Sequence, residues 1–252
     1  MLKHTTCCPE SRKTLNKVPE FTITGDENPF LHVSLRQGES ISCESDAMVM
    51  MEDSLDLAGQ IQGGIGQALM RRLANGESFF QQNIKAVRGD GDCLLSPQLP
   101  GAMEVLEVGR TQYNLADGAY VAASSDVEIT AQMQSLGTAL FAGSGGFFIG
   151  RTRGTGKVVV SGFGSLFTLQ VTPDKEIVID NGHVVAWDTQ LNYRISASTN
   201  RSQGLLNNLM HSVTSGEGVV LRFSGRGRVI VCSRNRTNFI AWLIDQLPAS
   251  RK

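Results

Sequence analysis

Three stretches of this chain are versions of one another. DAMVMMEDSLDL (46–57), GAYVAASSDVEI (118–129) and GHVVAWDTQLNY (182–193) each open on Gly or Asp. Each then carries apolar residues at offsets 2, 3 and 4, and again at 9 and 11. A second element follows in the same order: NGESFFQQNIKAVRGDGDCLLS (75–96), AGSGGFFIGRTRGTGKVVVS (142–161) and SGEGVVLRFSGRGRVIVCS (215–233). Each reads as an apolar strand, a Gly-x-Gly hairpin turn and a second apolar strand. Between the two lie segments of helical apolar spacing, 66–73, 137–142 and 204–213. Ahead of each first element stands a pair of alternating strands: LHVSL with ESISCES, MEVLEV with TQYNLAD, and LFTLQV with EIVIDN. A repeat on this scale constrains the fold before any other feature does. The expected unit is four or five short strands with one helical turn, used three times.

Composition agrees with an all-β chain. Of 252 residues, 27 are Gly and only 7 are Pro, which suits many tight turns between short strands. Charged residues make up 19 % and the net charge is −1, so any affinity for nucleic acid has to come from a local patch. The expected organisation is an N-terminal arm (1–28, with a first strand near Phe21 to Ile23), β repeats over 29–98, 99–162 and 163–235, and a C-terminal helix and tail (236–252). That helix places Phe239, Ile240, Trp242, Leu243 and Leu247 in one stripe before Pro248, which predicts a helix packed on the body. Sheet edges need cover. Three copies closing into a pseudo-threefold ring would supply most of it, and remaining edges would favour a homo-oligomer.

The run RQGESI, ESDAMVMM, NGESFF, SPQLPG, GAYVA, GHVVAW, SGEGVVLRF and GRGRVIV, over roughly residues 20–235, resembles the bacterial and mitochondrial family called altered inheritance of mitochondria. Asp46 departs from the glycine expected to open the first copy. The resemblance implies three consecutive domains like the tryptophan RNA-binding attenuation protein, each a shortened double-stranded β-helix, closed into a ring. It implies no assigned catalysis. It also implies a link, in mitochondrial relatives, to inner-membrane organisation and respiratory-complex upkeep.

Candidate chemistry is sparse. GRTRGTGKVVV (150–160) invites a phosphate-loop reading, but Arg151 occupies the first glycine position and Val158 the hydroxyl position. The glycines also precede a strand, where a phosphate loop needs a helix. The histidines His4, His32, His183 and His211 form no His-x-His, so the metal site of cupin enzymes is missing; His183 reads as a strand-end residue. The five cysteines (Cys7, Cys8, Cys43, Cys93, Cys232) are odd in number and contain no CxxC, which fits a reducing compartment. Cys43, Cys93 and Cys232 read as small buried strand residues. Arg88-Gly-Asp90 falls in a repeated turn, and the sequons at Asn200 and Asn235 read as chance. The segment MLKHTTCCPESRK has no apolar run of the secretory kind, so the expectation is a soluble, cytoplasmic protein. No catalytic residue, cofactor-binding residue or metal ligand is singled out, and no cofactor is expected.

The sharpest lead is charge in the turns. Arg151, Arg153 and Lys157 in the second copy, and Arg222, Arg226 and Arg228 in the third, would form an anion- or partner-binding face shared by two of the three copies. The expected function is a ring-shaped, self-assembling, non-enzymatic scaffold for a protein or membrane-associated partner. An RNA- or anion-binding ring is the alternative, and an unrecognised enzyme is the second alternative.

Overall fold

The computed structural model describes residues 19–60, 81–134, 147–196 and 219–247. The helically spaced segments 66–73, 137–142 and 204–213, and most of the N-terminal arm, lie outside the described residues. Among the described residues the chain is all-β with one C-terminal helix. The strands are β1 (Glu20–Thr24), β2 (Phe30–Leu35), β3 (Ser40–Glu44), β4 (Met48–Met51), β5 (Leu55–Gln60), β6 (Gln81–Ala86) and β7 (Gly91–Leu95). Then come β8 (Met103–Val108), β9 (Tyr113–Ala116), β10 (Tyr120–Ser124), β11 (Val127–Gln134), β12 (Phe147–Gly154) and β13 (Gly156–Ser161). The last are β14 (Leu166–Val171), β15 (Ile177–Asp180), β16 (Val184–Asp188), β17 (Asn192–Ser196), β18 (Val220–Ser224) and β19 (Gly227–Cys232), followed by α1 (Arg236–Gln246). Among the described residues, each stretch 30–95, 103–161 and 166–232 therefore holds six strands rather than four or five.

Among the described residues the strands form four sheets, with orders β1-β2-β7-β4, β5-β6-β3-β10-β13-β8, β11-β12-β9-β16-β19-β14 and β15-β18-β17. Burial follows from place in a sheet. In β2, Leu31, Val33 and Leu35 are buried while Phe30, His32 and Ser34 are not, the alternation of a strand with one face on the core. In β10 and β16 every residue is buried, so both faces are covered there, whereas β3, also interior to a six-stranded sheet, is buried only at alternate residues. Three apolar clusters fill the body. They centre on Ile41, Ile84 and Leu95; on Leu115, Val158 and Val160; and on Trp187, Leu221 and Phe223.

The glycine turns are corners, not hairpins. Strands β6 and β7 lie in different sheets, as do β12 and β13, and β18 and β19. Each turn carries the chain from one sheet to another. The glycine requirement is sharpest at Gly154, where φ is +110° and an added Cβ would sit 2.0 Å from the Asp126 carbonyl oxygen. Asp46, the departure from glycine, has φ +67°, close to the +72° of Gly118. Asp is among the few residues that tolerate the left-handed region, so the turn survives the change.

Helix α1 does not pack into the body as its stripe predicted. None of its residues is buried. Its apolar side chains span more than half the circumference at about 100° per residue, too wide an arc for one docking face. Of its apolar side chains, Phe239 reaches back, edge-on to Phe163 with ring centroids 5.2 Å apart. No helix among the described residues is long and apolar enough to cross a membrane.

Gly154→Ala should cost roughly 3 kcal/mol or more in urea unfolding, since strain and a backbone collision add. Gly38→Ala, at φ +88° with nothing within 4 Å, should cost only the left-handed penalty of about 1 kcal/mol.

Candidate functional site

The six basic residues singled out from the turns divide into two groups. Lys157 lies 3.7 Å from Glu107. Arg222 is buried beside Glu176 at 3.3 Å. Arg228 lies 3.8 Å from Asp188, donates to the Tyr113 hydroxyl and stands over that ring, 5.6 Å from its centroid. These three cations are occupied in holding strands together. Arg151, Arg153 and Arg226 are exposed and form no ion pair among the described residues. The anion-binding lead thus narrows to three positions.

Other motifs have structural uses. Arg88 donates to the carbonyls of Asp53 (2.6 Å) and Leu55 (2.7 Å) and pairs with Asp56 at 2.8 Å, while Asp90 accepts from the Gln37 amide at 2.8 Å. The Arg-Gly-Asp stretch is therefore tied down within its own corner. His32 lies 3.3 Å from Asp92, and His183 shares a 2.8 Å hydrogen bond with the Cys232 carbonyl at a strand end. Cys43, Cys93 and Cys232 are buried, as their strand positions suggest. Burial pushes the Cys43 and Cys93 thiols up to about 12, so they stay protonated near neutral pH. Among the described residues no His, Cys, Asp and Glu group has a metal-holding arrangement.

The feature that sequence reasoning missed is a cleft of about 270 Å³ at the base of α1. It is built from turns that are distant in sequence. Asp180 accepts from the Gly182 amide (2.7 Å) and from the Asn235 carboxamide (3.2 Å). Asn235 in turn accepts from the Asn238 amide at 3.2 Å and so caps α1. Its carboxamide is thus engaged on both sides. Gly182 makes room for it, since an added Cβ there would lie 2.0 Å from the Asn235 nitrogen. The Asn181 side-chain oxygen beside it is buried without a partner.

A smaller cleft of about 40 Å³ adjoins the first, sharing Gly118, Ser161, Phe163 and Arg236 and adding Glu44. Burial first, and then the Asp117 and Asp46 carboxylates, push Glu44 up to about 7, against the lowering effect of Arg236. A carboxyl that titrates near neutrality thus sits electrostatically coupled to the first turn of α1. Glu44 belongs to an alternating strand, ESISCES, in which an outward acid is ordinary. Nothing local marked it, because Asp117 and Arg236 reach it only through the tertiary fold.

The folded state holds the Glu44 proton more tightly than the unfolded chain, whose carboxyl titrates near 4.5. Its penalty is absent below that value, grows as pH rises and is complete above about 7. Glu44→Gln should therefore flatten the loss of stability between about pH 5 and about pH 8. At the upper end it should add on the order of 1 kcal/mol, a figure discounted for partial exposure. Urea midpoints across that range check it.

The model of the mitochondrial biogenesis family AIM24 matches residues 21–234. An uncharacterized protein of Streptococcus pyogenes serotype M6 is 34 % identical over 249 residues, 96 % of each chain. A crystal structure of a Streptococcus pyogenes protein superposes with a TM-score of 0.75 at 31 % identity, covering 91 % of this chain and 100 % of that one. The chain thus belongs, over residues 21–234, to the mitochondrial biogenesis AIM24 family.

Proposed function

We propose that this protein is a non-enzymatic scaffold, built from three copies of one six-stranded unit closed into a ring, that acts in the cytoplasm and holds a partner protein against α1. The observation that carries it is the exposed helix. Trp242 is 57 % exposed and Ile244 61 %, with Ile240, Leu243 and Leu247 exposed beside them. So continuous an apolar surface is unusual on a monomer and marks an interaction site. Burying it against a protein would contribute about 25 cal/mol per Å².

The repeat supports the scaffold part of the reading. The pairs β2–β7, β8–β13 and β14–β19 occupy equivalent places in the three copies. So do β4–β7, β10–β13 and β16–β19, each with a register shift after its first residue. The remaining pairs follow suit: β3–β6, β9–β12 and β15–β18, then β5–β6, β11–β12 and β17–β18. Three such units suit the attenuation-protein-like, double-stranded β-helix architecture. The second reading, an RNA- or anion-binding ring, is favoured by Arg151, Arg153 and Arg226, whose guanidiniums stand exposed.

Affinity capture with the full chain, beside a Trp242→Ser/Ile244→Ser variant, tests the first reading. The expected result is a stoichiometric protein recovered with the parent and lost from the variant at an unchanged melting temperature. Identical recovery from both chains would overturn it. For the second reading, Arg151→Glu/Arg153→Glu/Arg226→Glu should abolish salt-dependent retention on RNA and on anionic liposomes, each cation lost lowering the salt slope by about one. Unchanged retention would sink it.

A further inference from the structure

The larger cleft at the base of α1 gathers unmet groups of several kinds. The turn from β9 to β10 brings Asp117 to it, and the turn from β15 to β16 brings Asn181. The residues around the start of α1 bring Arg234 and Arg236. Neither arginine pairs with a carboxylate among the described residues. Arg234 lies over the Phe163 ring, 5.9 Å from its centroid. Arg236 reaches across the β9–β10 turn, its Nη1 3.2 Å from where a Cβ on Gly118 would stand.

The lining sets out what an occupant has to offer. Two unpaired guanidiniums call for an anion, and a carboxylate matches the planar fork of each. The first turn of α1 lines the same cleft, and a helix N-terminus also favours negative charge. The Asn181 Oδ1 atom is buried without a partner, so it calls for a donor, since a buried acceptor left unmet is costly. Phe163, Val184 and Val185 are buried and give the cleft an apolar wall. Asp117 lies on the same cleft, so an occupant that brought negative charge alone would meet repulsion. A volume of about 270 Å³ falls just below the roughly 300–1,000 Å³ of sites for drug-sized ligands, which suits a small metabolite.

We propose that this cleft binds a free α-amino acid with an apolar side chain. Its carboxylate sits on Arg234 and Arg236, its ammonium donates to Asn181 and faces Asp117, and its side chain lies on Phe163, Val184 and Val185. An α-amino acid carries all three groups on one carbon. A simple carboxylic acid leaves the Asn181 oxygen unmet and adds charge beside Asp117. An amine leaves both guanidiniums unmet, and inorganic phosphate offers nothing to the apolar wall. The assignment goes beyond the scaffold reading and does not rest on it, because the partner proposed there covers Trp242 and Ile244, which do not line the cleft.

Calorimetric titration and thermal melting of the dialysed full chain test it. The probe is L-leucine, set beside two analogues that each lack one group: leucinamide has no carboxylate and isocaproate no ammonium. L-Leucine should bind once per chain and raise the melting temperature, and each analogue should bind at least about tenfold more weakly. Arg234→Gln/Arg236→Gln should weaken L-leucine by about tenfold or more and leave leucinamide unchanged. Asn181→Leu should abolish binding and yet raise the melting temperature of the empty chain, because the unmet acceptor is gone. The Trp242→Ser/Ile244→Ser chain should bind L-leucine as the parent does; loss of binding there would place the ligand on the helix surface and overturn the proposal. It is overturned equally if L-leucine, L-methionine and L-phenylalanine all fail to bind, if isocaproate binds as well as L-leucine, or if the arginine and Asn181 variants both bind as the parent does.

Discussion

Everything in this molecule depends on the hydrogen-bonding edges of its strands. A strand left unpaired exposes a row of amide and carbonyl groups, and a short six-stranded unit has several such edges. The pairings of β3 with β10 and of β9 with β16 remove four of them and turn successive units into one body. Their cost is visible in the residues. The seams run through Cys43, Ala122, Leu115 and Ala186, which are fully buried, beside the buried polar residues Ser124, Asn114 and Asp188. The same logic places the glycine corners. A chain that changes sheet at nearly every strand connection has to turn sharply, and at Gly154 the turn brings backbone against the Asp126 carbonyl.

Three of the six basic residues singled out from the turns are engaged within the molecule. Arg222 with Glu176, Arg228 with Asp188 and Tyr113, and Lys157 with Glu107 tie strands that are far apart in sequence. The surface available for recognition is mostly apolar, in α1 and at the free edges of β4 and β15.

Much of the fold was legible because strand burial has a period of two. LHVSL and ESISCES announced β2 and β3, and the three matched elements announced β4, β10 and β16 with the strands that follow them. The fate of the glycine turns was not legible. A Gly-x-Gly between two apolar strands looks the same whether the strands pair with each other or enter different sheets, since the choice is made by partners far along the chain. Helix α1 failed in a similar way. Its stripe established that it is a helix, but the arc was too wide to say what it touches. The cleft was invisible for the same reason. Asp180 and Asn235 are ordinary polar residues until turns remote in sequence join them, and Glu44 is ordinary until Asp117 and Arg236 reach it.

By itself, the sequence determined that this chain is all-β, that it ends in a helix, and that its turns need glycine, because those properties follow from local periodicity and backbone sterics. Only the tertiary structure decided which strands share a sheet, which arginines are consumed in ion pairs, that Glu44 holds its proton to near neutral pH, and that β4 and β15 remain edges. Each of those depends on distances between residues remote in sequence, and a one-dimensional pattern carries no record of such distances.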